Sequence, residues 1–316
     1  MTQETLLSVQ NLQRSFDGNE AVHNLNFEIH RGEVVALLGT NGAGKSTTLN
    51  MITGNLKPDA GEVNICGLNV FTKPKQAKTN LGYLPETPPL YRELNVSEYL
   101  QFAACLHGVG KAQVQNSIDK ALEICGLNTV RKKLIANLSK GFQQRVGIAQ
   151  AIIHNPALVI LDEPTIGLDP VQMQDIRALL DDLSNNHSVL LSTHMLAEAE
   201  STCDRVLIID KGSLLLDQAL QNLNSSPDKR VKLRFHGNPP VEALNAIVGC
   251  RSVSCSQYGN FMCRYDGADF IQQVQAQSLE NNWQLYEIGP IASSLEQVFL
   301  DLVVRDSGVS NAQAIQ

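Results

Sequence analysis

The sequence predicts an α/β domain on a mainly parallel sheet, followed by a smaller α+β domain. Three observations predict it. Short unbroken apolar runs recur at Val34 to Leu38, Leu158 to Leu161, Val189 to Leu191 and Val206 to Ile209. Runs of that length without polar alternation suit strands covered on both faces. Helical patterns lie between them, as in a chain that crosses back from strand to parallel strand. Past the breaker-rich stretch Asn224-Ser-Ser-Pro-Asp228 the order of elements changes.

In chain order, Val34–Leu38 reads as a strand followed by a Gly-rich turn and a helical stretch from Thr47 to Ile52. Asn95 with Glu98 three residues on is a capping box opening a helix through Leu106. Val114, Ile118, Ala121, Leu122 and Cys125 mark the next helix, and Gly126 stops it. After the strand at Leu158, the residues Met173, Ile176, Leu179, Leu180 and Leu183 mark a helix starting near Pro170.

The last third reads as strand (Val231–Phe235), helix (Val241–Val248), strand (Arg251–Ser256), strand (Asn260–Tyr265), helix (Asp269–Glu280) and strand (Gln284–Ile288). The turn Tyr258-Gly259-Asn260 joins the middle strands. This βαββαβ order is the split, ferredoxin-like motif. A final helix runs from Ser294 to Val304, and the tail from Ser307 frays. The expected domains are residues 1–223, an accessory domain 224–306 and a flexible tail 307–316.

Composition narrows the function. The 316 residues carry 25 Lys+Arg against 32 Asp+Glu, for a net charge of −7, and 43% are hydrophobic. That apolar fraction builds a core and argues against disorder. The acidic balance disfavours a dedicated nucleic-acid binder, so no nucleic acid is expected. No apolar run approaches the roughly 18 residues of a membrane span. The N-terminus lacks the pattern of a secretory signal. Seven cysteines, an odd number with no C-x-x-C pair, read as buried small hydrophobes in a reducing, cytosolic compartment. Arg230, Lys232 and Arg234 share one strand face, which reads as a solvated face or as a contact for lipid headgroups or a partner.

The chemistry concentrates at Gly39-Thr-Asn41-Gly42-Ala-Gly44-Lys45-Ser46-Thr47, which fits the phosphate-binding P-loop G-x-x-x-x-G-K-[ST] between a strand and a helix. Gly42 and Gly44 let the backbone turn its N–H groups toward phosphate oxygens at a helix N-terminus. Lys45 supplies positive charge to the β/γ-phosphates, and the Ser46 hydroxyl is a Mg²⁺ ligand. Far downstream, Leu158-Val-Ile-Leu-Asp162-Glu163 is a buried strand ending in two carboxylates. There Asp162 can hold Mg²⁺ through water, and Glu163 can orient or deprotonate an attacking water. In isolation such a pair would read as solvated loop residues; beside a P-loop the chemical reading prevails.

With Leu138-Ser139-Lys140-Gly141-Phe142-Gln143-Gln144-Arg145 the chain resembles the nucleotide-binding subunits of the ATP-binding cassette (ABC) family, because this segment is similar to the family's signature sequence. Gly167-Leu168-Asp169 resembles the D-loop, and Ser192-Thr193-His194 the switch histidine. Phe16 resembles the adenine-stacking aromatic, and Gly82-Tyr-Leu-Pro-Glu86 the Q-loop. The resemblance spans about residues 5 to 220, in family order. It implies a P-loop ATPase fold with a helical subdomain, with ATP and Mg²⁺ as cofactors.

It further implies that two subunits pair head to tail over two ATP molecules. Ser139 and Gly141 of one would then meet the γ-phosphate held by the P-loop of the other, with Asp169 at the seam and His194 on the γ-phosphate. The pattern departs at Glu86, where the family commonly has Gln; a carboxylate there still ligates Mg²⁺ or water. It departs again at Lys140 and Phe142 in the signature. Variants of this kind resemble the exporter branch serving ABC-2-type permeases.

The implied function is an ATPase subunit that drives export through a separate integral-membrane permease, as a homodimer peripheral on the inner face of the cell membrane. Residues near Pro85 to Leu106 would carry the closure to that permease. The alternative weighed is a cassette ATPase acting on ribosomes or DNA. It is disfavoured because the chain has one cassette and only 94 residues separate Lys45 from Ser139, with no heptads or zinc motif between them.

Overall fold

A computed structural model describes residues 4–223, 229–237, 239–255, 259–267, 269–291 and 295–306. The chain divides into two units, Met1–Ala219 and Leu220–Gln316. The first begins with long strands β1 (Thr5–Phe16) and β2 (Asn19–His30), then β3 (Val34–Leu38) and helix α1 (Lys45–Ile52). Strands β4 (Ala60–Ile65) and β5 (Leu68–Asn69), helix α2 (Pro74–Lys78) and strand β6 (Leu81–Leu84) follow. Three helices come next: α3 (Val96–Leu106), α4 (Val114–Ile124) and α5 (Lys140–Ile152). The unit closes with β7 (Leu158–Asp162), α6 (Pro170–Ser184), β8 (Ser188–Thr193), α7 (Leu196–Thr202), β9 (Arg205–Asp210) and β10 (Ser213–Ala219).

The central sheet has the order β10-β9-β3-β8-β7-β6, parallel throughout except at the edge strand β10. The unbroken apolar runs have a direct cause. Val159, Leu161, Val189 and Leu191 enter one core, beneath α3 to α6. Their neighbours Leu158, Ile160 and Leu190 enter a second core on the opposite face, with α1 and α2. A strand buried on both faces has no polar side to alternate with.

A second sheet of order β2-β1-β4-β5, all antiparallel, covers that second core. The sequence reading leaves these strands unassigned, although Phe27 and Ile29 in β2 alternate with exposed polar residues as a half-buried strand does. Asn95 caps α3 with the expected box: its side chain accepts from Glu98 N–H while Glu98 accepts from Asn95 N–H.

The second unit comprises α8 (Leu220–Leu223), β11 (Lys229–Phe235), α9 (Val241–Asn245), β12 (Cys250–Cys255), β13 (Asn260–Tyr265), α10 (Phe270–Glu280), β14 (Leu285–Ile291) and α11 (Leu295–Asp306). Its antiparallel sheet has the order β12-β13-β11-β14, the arrangement of a ferredoxin-like fold. Val231, Leu233, Phe261, Cys263, Phe270 and Val274 form its core. On the other face of β11, Lys232 and Arg234 lie 3.7 and 2.7 Å from Glu287, so the basic stripe is partly neutralised.

The structure corrects two details. Helix α9 ends at Asn245, three residues before the expected Val248. Only Cys125 and Cys263 of the seven cysteines are buried, while Cys105 and Cys255 are exposed and the other three lie between. The expected linker Asn224–Asp228, Tyr258, Ser294 and the tail from Ser307 lie outside the described residues. Among the described residues no helix is long and apolar enough to cross a membrane.

Candidate active site

Strand register builds the site. In the sheet, Leu38 of β3 stands level with Thr193 of β8, and Asp162 of β7 with Ser192. The chain segments leaving these three adjacent parallel strands therefore emerge at one edge, where ligands of open α/β sheets bind. β3 leads into the P-loop, β7 into Glu163 and β8 into His194.

They line one cavity of about 480 Å³ with Asn41, Gly42, Gly44, Lys45, Ser46, Thr47, Glu86, Glu163 and His194 on its walls. Gly42 and Gly44 hold φ of 82° and 103°, left-handed values that glycine alone adopts without strain. A Cβ on Gly44 would also stand 2.6 Å from the Ala21 carbonyl oxygen. Gly44 caps α1 with no side chain, so the first-turn N–H groups of that helix face the cavity without a side-chain acceptor. That is a cradle for an anion.

Lys45 is 7% exposed, and its ammonium donates to the carbonyl oxygens of Gly39 (2.7 Å) and Thr40 (3.3 Å). Burial lowers its pKa, while Glu163 and Asp162 push it back up. Asp162, 6% exposed, is moved the other way: burial raises its pKa, the Ser192 hydroxyl pulls it down, Glu163 and Glu86 raise it, and Lys45 lowers it. A divalent cation would offset that crowding of carboxylates. Ser46, Asp162 and Glu86 offer the hard oxygen donors that Mg²⁺ takes. The described residues contain no ready-made cluster of three His, Cys, Asp or Glu ligands. Mg²⁺ is commonly held by one or two carboxylates plus substrate phosphate.

Glu163 is held in an unusual backbone state, with φ of 47° and its N–H donating to Ser192 O at 2.9 Å. A left-handed non-glycine residue costs about 1–2 kcal/mol, a strain that local sequence does not reveal. Its side chain is 11% exposed, and Oε2 lies 2.8 Å from His194 Nδ1, whose ring is 47% exposed. A buried carboxylate paired with a half-open imidazole at a phosphate cradle can hold and activate a water.

The remaining predicted residues, Asp162 included, are not among those lining this cavity. Gly39 is buried at the end of β3, with no room for a Cβ beside Ile209 O (2.5 Å). Phe16 is 43% exposed at the end of β1, with the Arg14 guanidinium 4.9 Å from its ring centre. Ser139 is exposed and caps α5, its hydroxyl accepting from Phe142 N–H at 3.4 Å. Gly141 is buried under Gln172 of α6, where a Cβ would meet Gln172 Oε1 at 2.8 Å. Asp169 is exposed and caps α6 through Gln172 N–H at 2.9 Å. Arg145 pairs with Asp175 at 2.5 Å, joining α5 to α6. The signature segment and D-loop thus form one packed patch of their own. The sequence reading missed Thr165 and Ile166, which follow the carboxylate pair; Ile166 lines the cavity and Thr165 is 3% exposed.

The ABC transporter family matches residues 22–166. The chain is 37% identical to the bacitracin transport ATP-binding protein BcrA of Bacillus licheniformis, over 95% of this chain and 97% of that protein. It is 38% identical to the uncharacterized ABC transporter ATP-binding protein YxlF of Bacillus subtilis, over 72% of this chain and 75% of that protein. Among solved structures, the dimeric post-hydrolysis state of the ATP-binding cassette MJ0796, bound to ADP and Pi, superposes with a TM-score of 0.62. It is 26% identical, covering 68% of this chain and 99% of that one.

Proposed function

The chain belongs to the ABC transporter family, as an ATP-binding subunit whose ATP hydrolysis drives transport, and from that premise we propose how its residues divide the work. ATP binds across the P-loop, with Phe16 against adenine and the α1 N-terminus and Lys45 on the phosphates. Ser46, Asp162 and Glu86 would hold Mg²⁺, which would supply charge neutralisation of the phosphates. Glu163 takes a proton from a water that His194 helps to position. The water oxygen bonds to the γ-phosphorus as the bond to the ADP oxygen breaks, leaving ADP and phosphate.

The observation that carries this reading is the division of the predicted residues. Lys45, Ser46, Glu86, Glu163 and His194 share one cavity, whereas Ser139, Gly141 and Asp169 lie outside it. Such a division suits a homodimer in which each signature segment completes the partner's site. The working unit is then two copies on an ABC-2-type permease, peripheral on the inner face of the membrane. The first compact unit serves as the ATPase domain and the second as the accessory domain. The exposed aromatics Tyr91 and Phe102, with ring centres 5.4 Å apart, suit contact with the permease.

Tagged Glu163→Gln trapped with ATP and purified from detergent-solubilised native membranes tests the proposal. Recovery of the subunit as a dimer with a polytopic protein is expected. A monomer in saturating ATP, or a chain bringing down no membrane protein, would overturn it.

A further inference from the structure

Glu198 is 1% exposed, more deeply buried than Asp162 at 6% or Glu163 at 9%. It lies on α7, four residues beyond His194. Burial raises the pKa of its carboxylate most strongly, the hydroxyls of Thr193 and Thr165, which approach it, and Arg177 of α6 lower it, and the charge of Glu163 raises it again. Neither hydroxyl contact reaches full hydrogen-bond geometry, so both carboxylate oxygens are buried without a completed partner. A buried carboxylate left so incomplete calls for a reason beyond packing.

Its neighbours supply one. Thr165 stands two residues after Glu163, and Thr193 immediately before His194. Thr193 is itself 0% exposed, and its hydroxyl accepts from Met195 N–H at 3.0 Å, which fixes the turn that presents His194. Arg177 belongs to the helix that follows the Asp169 segment. The Glu198 carboxylate therefore faces both the chain segment that carries Glu163 and the segment that carries His194.

We propose that Glu198 is a positioning residue, whose carboxylate clamps the Glu163 and His194 segments together through Thr165 and Thr193 and so sets the pairing of base and imidazole. The inference rests on reading Glu163 as the base. It assigns Glu198 no contact with nucleotide, so its removal acts on turnover and not on binding.

The test uses Glu198→Gln, which keeps the shape and deletes the charge, in the full-length chain. Its kcat and KM for MgATP are measured beside those of His194→Ala and of the double variant. The expected result is a loss of kcat of about tenfold, the lower end for an outer-shell partner, with KM within about twofold of the parent. In the His194→Ala background the same change is expected to cost less than about twofold, because no imidazole remains to be positioned. A kcat within twofold of the parent, or an equal loss in both backgrounds, would overturn the proposal. If Glu198→Gln does not fold, Thr165→Val deletes one hydroxyl and keeps the carboxylate; the same background dependence is required of it. Undiminished hydrolysis by Glu163→Gln is a separate failure, which would remove the base assignment itself.

Discussion

Replacing His194 by Ala removes the imidazole that lies 2.8 Å from Glu163 Oε2. The carboxylate left behind is only 11% exposed, so water does not fully replace the lost partner. A hydrogen bond to a charged group contributes about 1.5–3 kcal/mol. If that interaction is realised in the transition state, kcat falls about 10- to 150-fold. Glu163→Gln keeps the side-chain volume and one oxygen but loses the base, a change expected to slow hydrolysis by about 10²- to 10⁴-fold. If the two groups act as one unit, the double variant is no slower than the slower single variant, within a few-fold. The assay is single-turnover phosphate release at saturating MgATP, so that binding and product release do not enter. A double variant slowed by the full product of the single losses would show that His194 and Glu163 act independently. The 2.8 Å pair would then have no catalytic meaning.

Three further outcomes follow from other parts of the fold. Ser139→Arg should abolish steady-state hydrolysis yet leave ATP binding to the monomer intact, as read by equilibrium titration with a fluorescent nucleotide; loss of monomer binding would sink the assignment in trans. Gly82→Ala should lower stability by about 3 kcal/mol or more, because its Cβ would stand 2.2 Å from the Ala151 carbonyl oxygen, a contact between backbones that no rotamer relieves; an unchanged urea midpoint would contradict that close approach. His154 stacks on His107 with ring centres 4.0 Å apart, and burial takes its pKa from 6.5 down to about 4. A folded pKa below the unfolded one means the unfolded chain binds the proton first, so stability should fall as pH drops from about 6.5 toward 4. His154→Phe should flatten that part of the urea-midpoint profile, and an equally steep slope would exclude His154 as its source.

The legible parts of the fold were those with local causes. Asn95 and Glu98 exchange hydrogen bonds across three residues, and Pro170 after a capping Asp169 starts α6, so a short window of sequence contains each signal. The doubly buried strands announce themselves because neither face alternates. The antiparallel sheet of β1, β2, β4 and β5 was not read. Its pairings join residues such as Leu7 and Ile65, far apart in the chain, although Asp17-Gly18, with φ of 49° and 84°, is the two-residue hairpin turn that links β1 to β2 and was a local signal the reading passed over. The cysteine reading failed for a related reason: an apolar neighbour in sequence does not say which face a thiol takes, and Cys105 in α3 points outward.

By itself the sequence determined the chemistry available: a phosphate-binding loop, a strand ending in Asp162 and Glu163, a histidine after the next strand, and a signature segment between Lys45 and Glu163. The strand-ending pairs Leu38 with Thr193 and Asp162 with Ser192 were decided only by tertiary structure, because parallel register joins segments more than a hundred residues apart or separated by a whole helix. That register brings Lys45, Glu86, Glu163 and His194 to one cavity while leaving Ser139, Gly141 and Asp169 on other elements. The left-handed backbone of Glu163 and the burial of Glu198 have the same origin. No local preference calls for either, and only the packing of β7, β8, α6 and α7 around them holds a strained residue and a buried charge in place.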